Sequence, residues 1–197
     1  MEIKTYVAGP FMTNTYLIIN DKKGIIVDPT IGLEKYIDDI KKINITAILL
    51  THCHIDHIAS AHLFDAPIYM SKKDAINIKD NRINLSNTFG IPFIFPSNNI
   101  IGLDDEVLSL NNLKIECILT PGHTSGGMCF LINDSLFSGD TLFQVGIGRT
   151  DFPTGNMNDL KKSLLKLKCL PKNTKIYPGH GELSTLEFEL KYNPYLK

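Results

Sequence analysis

The apolar residues of this chain fall in short, isoleucine-rich runs that are bounded by Gly, Pro, Asn or Asp. The runs are Tyr16–Ile19, Gly24–Val27, Ile45–Leu50, Ile115–Leu119, Met128–Ile132, Leu136–Ser138 and Lys175–Tyr177. Runs of this kind are typical of β-strands, and all are far shorter than the ~20 residues that a bilayer-crossing helix needs. They predict a layered domain built around β-sheet, with Asn133-Asp134 as a tight hairpin turn between two strands.

Helical spacing occurs between the strand-like runs. Apolar residues repeat every three or four positions over residues 33–40 and again over residues 160–167, where the pattern stops before Pro171. Ser184 and Glu187 resemble a capping box that opens a last helix, which ends near residue 191. Weaker helical patterns cover residues 57–64 and 71–79, whereas residues 80–103 predict a long loop or an irregular edge segment. Strands with helices between them predict a layered α/β or α+β domain.

Length, charge and cysteine usage exclude several classes of protein. The 197 residues suffice for one domain that spans 1–197, and 20 basic against 21 acidic residues leave a net charge of -1. Such a balance argues against a nucleic-acid partner. The four cysteines form no CxxC pair, and the N-terminus has no signal-peptide pattern. We therefore expect a soluble, cytoplasmic protein with free thiols, no membrane partner and an undetermined oligomeric state.

Histidine and aspartate residues follow the ends of four strand-like runs. The turns are Thr51-His52, Pro121-Gly122-His123, Gly139-Asp140 and Pro178-Gly179-His180. Strand ends at one edge of a layered sheet can hold side chains around one crevice. The pattern predicts one site that is assembled from segments lying far apart in the sequence.

The richest segment is Thr51-His52-Cys53-His54-Ile55-Asp56-His57, with three histidines and an aspartate within six residues. Imidazole nitrogen and carboxylate oxygen suit zinc, iron or manganese. Five of the six histidines lie in such turns, which favours a metal site over five separate structural histidines. Alternation along an extended backbone points Cys53 away from the histidines beside it and predicts a buried thiol. Asp28 either accepts a hydrogen bond from a metal-binding imidazole or caps its own turn.

The order and spacing of four motifs resemble the metallo-β-lactamase-fold hydrolases. The motifs are Thr-His-x-His-x-Asp-His at 51–57, Pro-Gly-His-Thr at 121–124, Ser-Gly-Asp-Thr at 138–141 and Pro-Gly-His-Gly at 178–181. The resemblance implies an α+β fold, the αββα sandwich, in which two face-to-face mixed β-sheets are flanked by helices and hold a metal site at one edge. It also implies two divalent metal ions per chain, with zinc expected first and iron or manganese as alternatives.

The resemblance further assigns metal ligands by position. His52, His54 and His123 would bind the first ion, Asp56, His57 and His180 the second, and Asp140 would bridge them. Seven protein ligands leave open positions for water or substrate, as in a catalytic site. Two ions about 3.5–4 Å apart can share a hydroxide that attacks the substrate at neutral pH, and Asp56 would orient this hydroxide or accept its proton.

Two further segments resemble the short hydroxyacylglutathione hydrolases, which are glyoxalase II-like. They are Gly148–Pro153 and the ending Pro178–Leu186, which is closed by Asn193–Leu196. The resemblance implies hydrolysis of a small-molecule thioester such as S-lactoylglutathione. We expect no C-terminal helical extension of the kind that contacts glutathione in longer members. Substrate contacts are therefore expected from loops at 80–103 and 142–156, with Arg149, Phe143 and Phe152 as candidates, although Arg149 could instead form a buried structural pair with an aspartate such as Asp151.

Two other functions stay open on the sequence. A persulfide dioxygenase of the same fold also shows a Gly-Arg-Thr-Asp-Phe stretch, and its single iron would use His52, His123 and Asp140, but the Gly-His-Gly at 179–181 favours the hydrolase. A non-catalytic metal-binding module is disfavoured because all seven ligand positions are occupied by suitable residues. Lactonase or phosphodiesterase activity stays open among the hydrolases.

Overall fold

A computed structural model describes residues 1–91, 93–95 and 99–197. The two larger β-sheets of this part of the chain contain six strands each. The first sheet contains, in spatial order, β1 (Glu2–Ala8), β2 (Thr13–Asn20), β3 (Lys23–Val27), β4 (Asn44–Leu49), β5 (Ile68–Ser71) and β6 (Ile100–Leu103). Strands β1 to β3 pair antiparallel, and β3 to β6 pair parallel. The first sheet is therefore mixed.

The second sheet is also mixed. The remaining strands are β7 (Glu106–Leu110), β8 (Leu113–Leu119), β9 (Met128–Ile132), β10 (Ser135–Gly139), β11 (Leu142–Phe143), β12 (Gly146–Ile147), β13 (Lys175–Pro178) and β14 (Ser184–Thr185). The spatial order is β14-β13-β10-β9-β8-β7, with β10 and β13 parallel, whereas β11 and β12 pair only with each other. Ile132 pairs with Ser135, so the predicted hairpin turn at 133–134 is confirmed.

Short helices connect the strands and cover the sheets. They are α1 (Ile37–Ile40), preceded by a 3₁₀ turn (Leu33–Tyr36); α2 (Ile55–Ile58), followed by a 3₁₀ turn (Ala61–Leu63); α3 (Lys72–Asn77); α4 (Met157–Lys168); and α5 (Leu186–Tyr192), followed by a 3₁₀ turn (Pro194–Leu196). None of the helices in the described part of the chain combines the length and the apolar character that a membrane crossing requires.

The inner faces of the two sheets pack on each other. Buried side chains of β2, β3 and β4 meet those of β8, β9 and β10 in one hydrophobic cluster. Tyr16, Phe130 and Phe137 are its largest fully buried members, and the rings of Tyr16 and Phe137 meet edge to face with centroids 5.3 Å apart. Removal of this apolar surface from water is the main force that holds the two sheets together.

The outer faces of the sheets are covered by the helices. Apolar residues around α1, α2 and α3 pack on the first sheet, while Leu160, Leu164 and Leu167 of α4 pack with α5 on the second. The repeat at three and four positions over residues 160–167 therefore marks the buried face of α4. The layers run helix, sheet, sheet, helix, and the predicted αββα sandwich is confirmed.

Several local predictions need correction. Short apolar runs do not reveal β1, whose exposed and buried residues are mixed, or the four-residue β5. Residues 80–103 contain β6 as well as a loop, and residues 92 and 96–98 of that stretch lie outside the described residues. The capping box at Ser184 is wrong: the N-cap is Thr185, whose Oγ1 accepts a hydrogen bond from the Phe188 amide at 3.3 Å. The weak helical pattern at 57–64 corresponds to α2 and the 3₁₀ turn after it.

The Tyr16 side chain contributes to the hydrogen bonds that join the two sheets beside a predicted ligand turn. The Tyr16 hydroxyl on β2 donates to the carbonyl oxygen of Pro178 on β13 at 2.6 Å. Tyr16→Phe keeps the ring packing and removes this bond, so we expect the free energy of unfolding to fall by about 1–2 kcal/mol in urea denaturation. Tyr177→Phe, which changes a neighbouring ring of the same cluster, is the control and should change it by less than about 0.5 kcal/mol. Equal losses in both variants would contradict a role for the Tyr16 hydroxyl.

Candidate metal centre

The loop between β4 and α2 supplies four of the predicted ligands. His52 and His54 lie in the loop itself, and Asp56 and His57 lie in the first turn of α2. All four side chains are buried or nearly so. Cys53, between the first two histidines, points instead into the apolar cluster beneath the loop, and the predicted buried thiol is confirmed.

A first group of ligand atoms comes from His52, His54 and His123. Their nitrogen atoms lie within 4.8 Å of one another, and His123 Nε2 is 2.9 Å from His54 Nδ1. His123 follows the end of β8, so this group joins a loop of the first sheet to a loop of the second. We call it the first trio.

A second group comes from Asp56, His57 and His180, whose ligand atoms also lie within 4.8 Å of one another. Oδ2 of Asp56 is 3.3 Å from His180 Nε2 and 3.4 Å from His57 Nε2. His180 follows the end of β13. This second trio therefore also draws its members from both sheets.

The carboxylate of Asp140 lies between the two trios. Its Oδ1 is 3.4 Å from His57 Nε2 of the second trio, and its Oδ2 is 3.4 Å from His123 Nε2 of the first. A shift in register between Phe137 and Gly139 of β10 comes immediately before this residue. Irregularities of this kind re-aim the side chains that follow them, and here the result is a carboxylate that faces both groups.

Backbone and side-chain acceptors fix the orientation of the imidazole rings. His57 Nδ1 donates to Asp28 Oδ2 at 2.9 Å, His123 Nδ1 to the Arg149 carbonyl oxygen at 2.7 Å, and His180 Nδ1 to the Phe11 carbonyl oxygen at 3.0 Å. Carbonyl and carboxylate oxygens only accept, so each of these nitrogens carries the proton. The Nε2 atoms of the three rings therefore face the centre, where a cation that displaces any Nε2 proton can bind them.

Asp28 also orients the first ring of the loop. Its Oδ1 accepts from the Thr51 amide at 2.8 Å and its Oδ2 from the Thr51 hydroxyl at 2.6 Å. Because the hydroxyl proton is used in this way, the Thr51 oxygen accepts from His52 Nδ1, 3.1 Å away. The His52 Nε2 atom is therefore free. Of the two roles that the sequence left open for Asp28, the structure shows acceptance from an imidazole, and its other bonds go to Thr51 of the ligand loop.

The donor set fits bound cations. Within the described part of the chain, the buried atoms His52 Nε2, His57 Nε2 and Asp140 Oδ1 lack a hydrogen-bond partner. An unpaired buried polar atom costs about 1–3 kcal/mol, and a cation at the centre would satisfy all three. Imidazole and carboxylate donors with no thiolate among them suit zinc, iron or manganese.

The electrostatics of the site treat its histidines differently. Burial alone would lower the pKa of His57 and of His180, but Asp56 and Asp140 outweigh it and raise these pKa values to about 9 and about 11, so a cation would have to displace the second proton of each ring. Burial lowers the pKa of His52 well below its ordinary value, with His57 adding to the effect, and burial lowers the pKa of His54 to about 3. Both rings are neutral at pH 7. Burial alone would raise the pKa of Asp140, but His57 and His180 outweigh it and hold that pKa well below the usual range. Asp140 is therefore a carboxylate at neutral pH.

Gly179 allows the loop after β13 to approach the centre. A Cβ at this position would overlap the Asp140 carboxylate and lie 2.6 Å from His57 Cε1. Any side chain here would displace the residues that hold the two trios together, which explains a glycine immediately before His180.

A cleft of about 530 Å³ opens over the centre. Its lining includes His54, Asp56, His123, Asp140 and His180 together with the three residues predicted to contact substrate, Arg149, Phe143 and Phe152. The Arg149 guanidinium lies 4.0 Å from the centroid of the Phe152 ring and forms a salt bridge of 2.6 Å with Asp151. The sequence offered this pair as a buried one, but both side chains are exposed. The structure thus brings all ten predicted site residues to one cleft or its floor.

Sequence analysis missed several polar residues that support the ligands. The Thr13 hydroxyl donates to Asp56 Oδ2 at 3.1 Å. Asn14 donates through Nδ2 to the carbonyl oxygens of Pro178 and Gly181, both at 3.0 Å, and so holds the turn that carries His180. Both residues open β2, which places them beside the site, but single polar residues at a strand end carry no signal in the sequence.

Asp74 is a third residue that sequence analysis missed. It is fully buried on α3, and its Oδ2 accepts from the Cys53 amide at 3.1 Å and from the Thr124 hydroxyl at 2.7 Å. Cys53 lies between two members of the first trio, and Thr124 follows the third. Asp74 therefore ties together the two loops that build the first trio.

The chain matches the metallo-β-lactamase superfamily over residues 8–180 and belongs to it. A probable metallo-hydrolase from Streptococcus pyogenes serotype M6 is 36% identical over an alignment of 197 positions. The alignment covers 92% of this chain and 84% of the relative. The hydroxyacylglutathione hydrolase GloC from Haemophilus influenzae is 34% identical over 209 residues, covering 100% and 98%. A probable polyketide biosynthesis zinc-dependent hydrolase, PksB from Bacillus subtilis, is 33% identical over 190 residues, covering 91% and 77%. These relatives place the chain among metallo-hydrolase enzymes.

Two solved structures resemble this one closely. The B3 metallo-β-lactamase BLEG-1 superposes with a TM-score of 0.90 at 34% identity over 99% of both chains. TTHA1623, solved in a di-iron-bound form, superposes with a TM-score of 0.87 at 29% identity over 98% of this chain and 100% of the other. The family membership indicated by the four sequence motifs is confirmed.

Asp74 provides a test of how the first trio is held. Asp74→Ala leaves the Cys53 amide and the Thr124 hydroxyl without an acceptor, so we expect the dissociation constant for zinc to rise about tenfold or more, the range found for outer hydrogen-bonding partners of metal ligands. The measurement is a competitive titration against a chelator. Asp74→Asn keeps an acceptor oxygen and should restore most of the affinity.

Glu189→Ala is the matched control, because Glu189 is also a fully buried helix carboxylate but holds the Val145 amide and Asn193 instead of a ligand loop. It should lower stability without weakening zinc binding. If both alanine variants lost zinc affinity equally, the loss would follow from general destabilisation and Asp74 would have no special role.

Proposed function

We propose that this protein is a hydrolase that cleaves thioesters with the help of two divalent metal ions, with S-lactoylglutathione or a related hydroxyacyl thioester as substrate. The observation that carries the proposal is the Asp140 carboxylate, whose two oxygens face two separate trios of metal-binding side chains. A carboxylate in that position suits two neighbouring cations, as in hydrolytic sites with paired metals.

The proposed ligands follow the two trios. One ion would be held by His52, His54 and His123, the other by Asp56, His57 and His180, with Asp140 shared. Zinc is the first candidate, since imidazole and carboxylate donors suit it and a relative is named a zinc-dependent hydrolase. Iron is supported by the di-iron form of a structural neighbour, and manganese fits the same donors.

Bound cations of this kind would supply an activated water and polarise the carbonyl oxygen of the substrate. The chain's own contribution is positional. Asp56 lines the cleft, and its Oδ2 is held by the Thr13 hydroxyl at 3.1 Å, so its carboxylate is placed to orient the attacking water and accept its proton. Attack forms the new carbon–oxygen bond, the carbon–sulfur bond breaks, and the thiolate leaves with the bonding electron pair.

A thioester suits this site for chemical reasons. Its leaving group is a thiol with a pKa of about 8.5, so it departs as a thiolate near neutral pH, and a soft sulfur anion binds well to zinc. A relative named hydroxyacylglutathione hydrolase that matches the whole chain supports the same substrate class.

The second candidate is a persulfide dioxygenase with a single iron on His52, His123 and Asp140. The 3.4 Å between Asp140 Oδ2 and His123 Nε2 is compatible with a shared ion. That arrangement, however, leaves the second trio without a role, including the buried His57 Nε2 that lacks a partner among the described residues. We therefore favour the two-metal hydrolase.

Metal content and two parallel assays test the choice. Elemental analysis of the purified protein should find close to two metal ions per chain, and the same sample should hydrolyse S-lactoylglutathione without consuming oxygen when glutathione persulfide is supplied. One iron per chain with persulfide-dependent oxygen uptake and no thioester cleavage would establish the dioxygenase instead.

Asp140→Ala tests the shared carboxylate. Because Asp140 faces both trios, its loss should reduce bound metal at both and lower kcat/KM for thioester cleavage by about a hundredfold or more. Asp134→Ala removes an exposed aspartate that pairs with Lys175 and should leave both quantities unchanged. Full metal content and full activity in Asp140→Ala would rule out the bridging role.

A further inference from the structure

The wall of the cleft above the metal centre is largely apolar. Its apolar lining consists of Phe11, Leu85, Phe89, Phe143, Ile147 and Phe152, and we call this set the aromatic wall. These residues come from three separate parts of the chain, namely the loop after β1, the 80–91 segment and the stretch from β11 to α4. A surface that three distant segments build together around a site is suited to hold part of a ligand.

The rings of the wall form a continuous path to the first trio. The Phe11 and Phe89 centroids are 4.6 Å apart, and those of Phe89 and Phe152 are 6.4 Å apart. Phe152 in turn lies 5.8 Å from the His54 ring. A substituent of the substrate next to the cleaved carbon–sulfur bond would therefore contact these phenyl rings.

Phe143 lies beside the second trio, with its ring centroid 6.2 Å from that of His180. The apolar lining thus borders both trios. Either substituent of a substrate carbonyl placed between the trios would meet an apolar surface.

The described lining offers little to an anionic group besides the metal centre itself. Arg149 is the one Lys or Arg side chain among the described residues that line the cleft. Its guanidinium already forms two hydrogen bonds with the Asp151 carboxylate, at 2.7 and 2.6 Å, and covers one face of the Phe152 ring. The charge of Arg149 is largely compensated before any substrate arrives.

We propose that the aromatic wall binds an apolar substituent of the substrate next to the cleaved bond, so that the preferred substrates are thioesters with an alkyl or aryl chain on the acyl or the thiol side. This inference rests on the proposed thioester hydrolysis and goes beyond it by naming the class of substituent. The small and polar lactoyl group of S-lactoylglutathione would bury less apolar surface against the wall than such a chain, so its kcat/KM should be lower.

Two substrate series distinguish the acyl side from the thiol side. The first lengthens the acyl chain from acetyl to hexanoyl on N-acetylcysteamine, and the second lengthens an alkanethiol at a constant acetyl group. In the series whose chain contacts the wall, kcat/KM of the metal-loaded protein should rise about threefold with each added methylene, as expected for burial of a CH₂ group. In the other series, kcat/KM should not change with chain length.

Phe89→Ala tests the wall directly. Phe89 lies in a loop and is 37% exposed, so its truncation should leave the metal content unchanged while reducing the gain per methylene to about 1.5-fold or less. Phe188→Ala is the matched control, because Phe188 is 38% exposed and lies on α5 against Tyr192, outside the cleft. It should retain the threefold gain.

The outcomes separate this inference from the proposed reaction. The role of the aromatic wall is disproved if the protein cleaves acetyl thioesters but kcat/KM rises with chain length in neither series. It is also disproved if Phe89→Ala shows the same rise as the wild type. The proposed thioester hydrolysis is unaffected by either result. If the metal-loaded protein cleaves no thioester, the proposed reaction fails. In that case the role of the wall is tested by calorimetric measurement of the binding of S-alkyl-N-acetylcysteamine thioethers. Their affinity should rise with alkyl length in the wild type and should rise less in Phe89→Ala. Affinity that does not depend on length overturns it.

Discussion

Imidazole nitrogens that are gathered at one buried centre are the constraint on which the rest of this structure depends. Hydrogen bonds on the outer side of the rings, to Asp28, Thr51 and backbone carbonyl oxygens, use up the Nδ1 protons. The inner nitrogens are thereby aimed at a buried pocket, in which the Nε2 atoms of His52 and His57 and one oxygen of Asp140 lack a hydrogen-bond partner among the described residues. Such an arrangement is unfavourable by itself, and a cation at the centre reverses the sign of its contribution. The fold therefore holds the ligand atoms in place at a cost in stability when no cation is bound, and a bound cation offsets that cost.

The αββα sandwich is what brings these nitrogens together. The first sheet provides the loop after β4, and the second provides the turns after β8, β10 and β13. The apolar core between the sheets sets their separation, while Tyr16 and Asn14 of β2 bond directly to the turn after β13. Because every trio contains members from both sheets, relative movement of the sheets would separate the ligands. Packing in the core and geometry at the centre are thus coupled.

The sequence allows the ligands to be predicted much better than their supports. Histidine is scarce, and its recurrence in three turns after apolar runs, with an aspartate in a fourth, is a signal that does not depend on tertiary contacts. Asp74 and Thr13 are single polar residues in an ordinary helix and strand, and Asp74 looks like part of a helix start because its amide donates to Ser71 Oγ. Phe11 and Phe89 lie 78 positions apart (89 − 11) in irregular segments, so no periodicity relates them. Short parallel strands such as β6 likewise form only because a neighbouring strand is present.

The metal centre and the aromatic wall differ in how firmly their residues are held. Because of this difference, residues of the wall can change without any change in the metal ligands. The first trio is 2–4% exposed and is fixed by hydrogen bonds from several elements. The wall, in contrast, comes from loops, and Phe89 keeps more than a third of its surface exposed. Substitutions in those loops can reshape the cleft without moving a ligand. The differing names of the chain's relatives, a hydroxyacylglutathione hydrolase, a probable polyketide biosynthesis zinc-dependent hydrolase and a B3 metallo-β-lactamase, are what we expect when one metal centre is combined with variable loops.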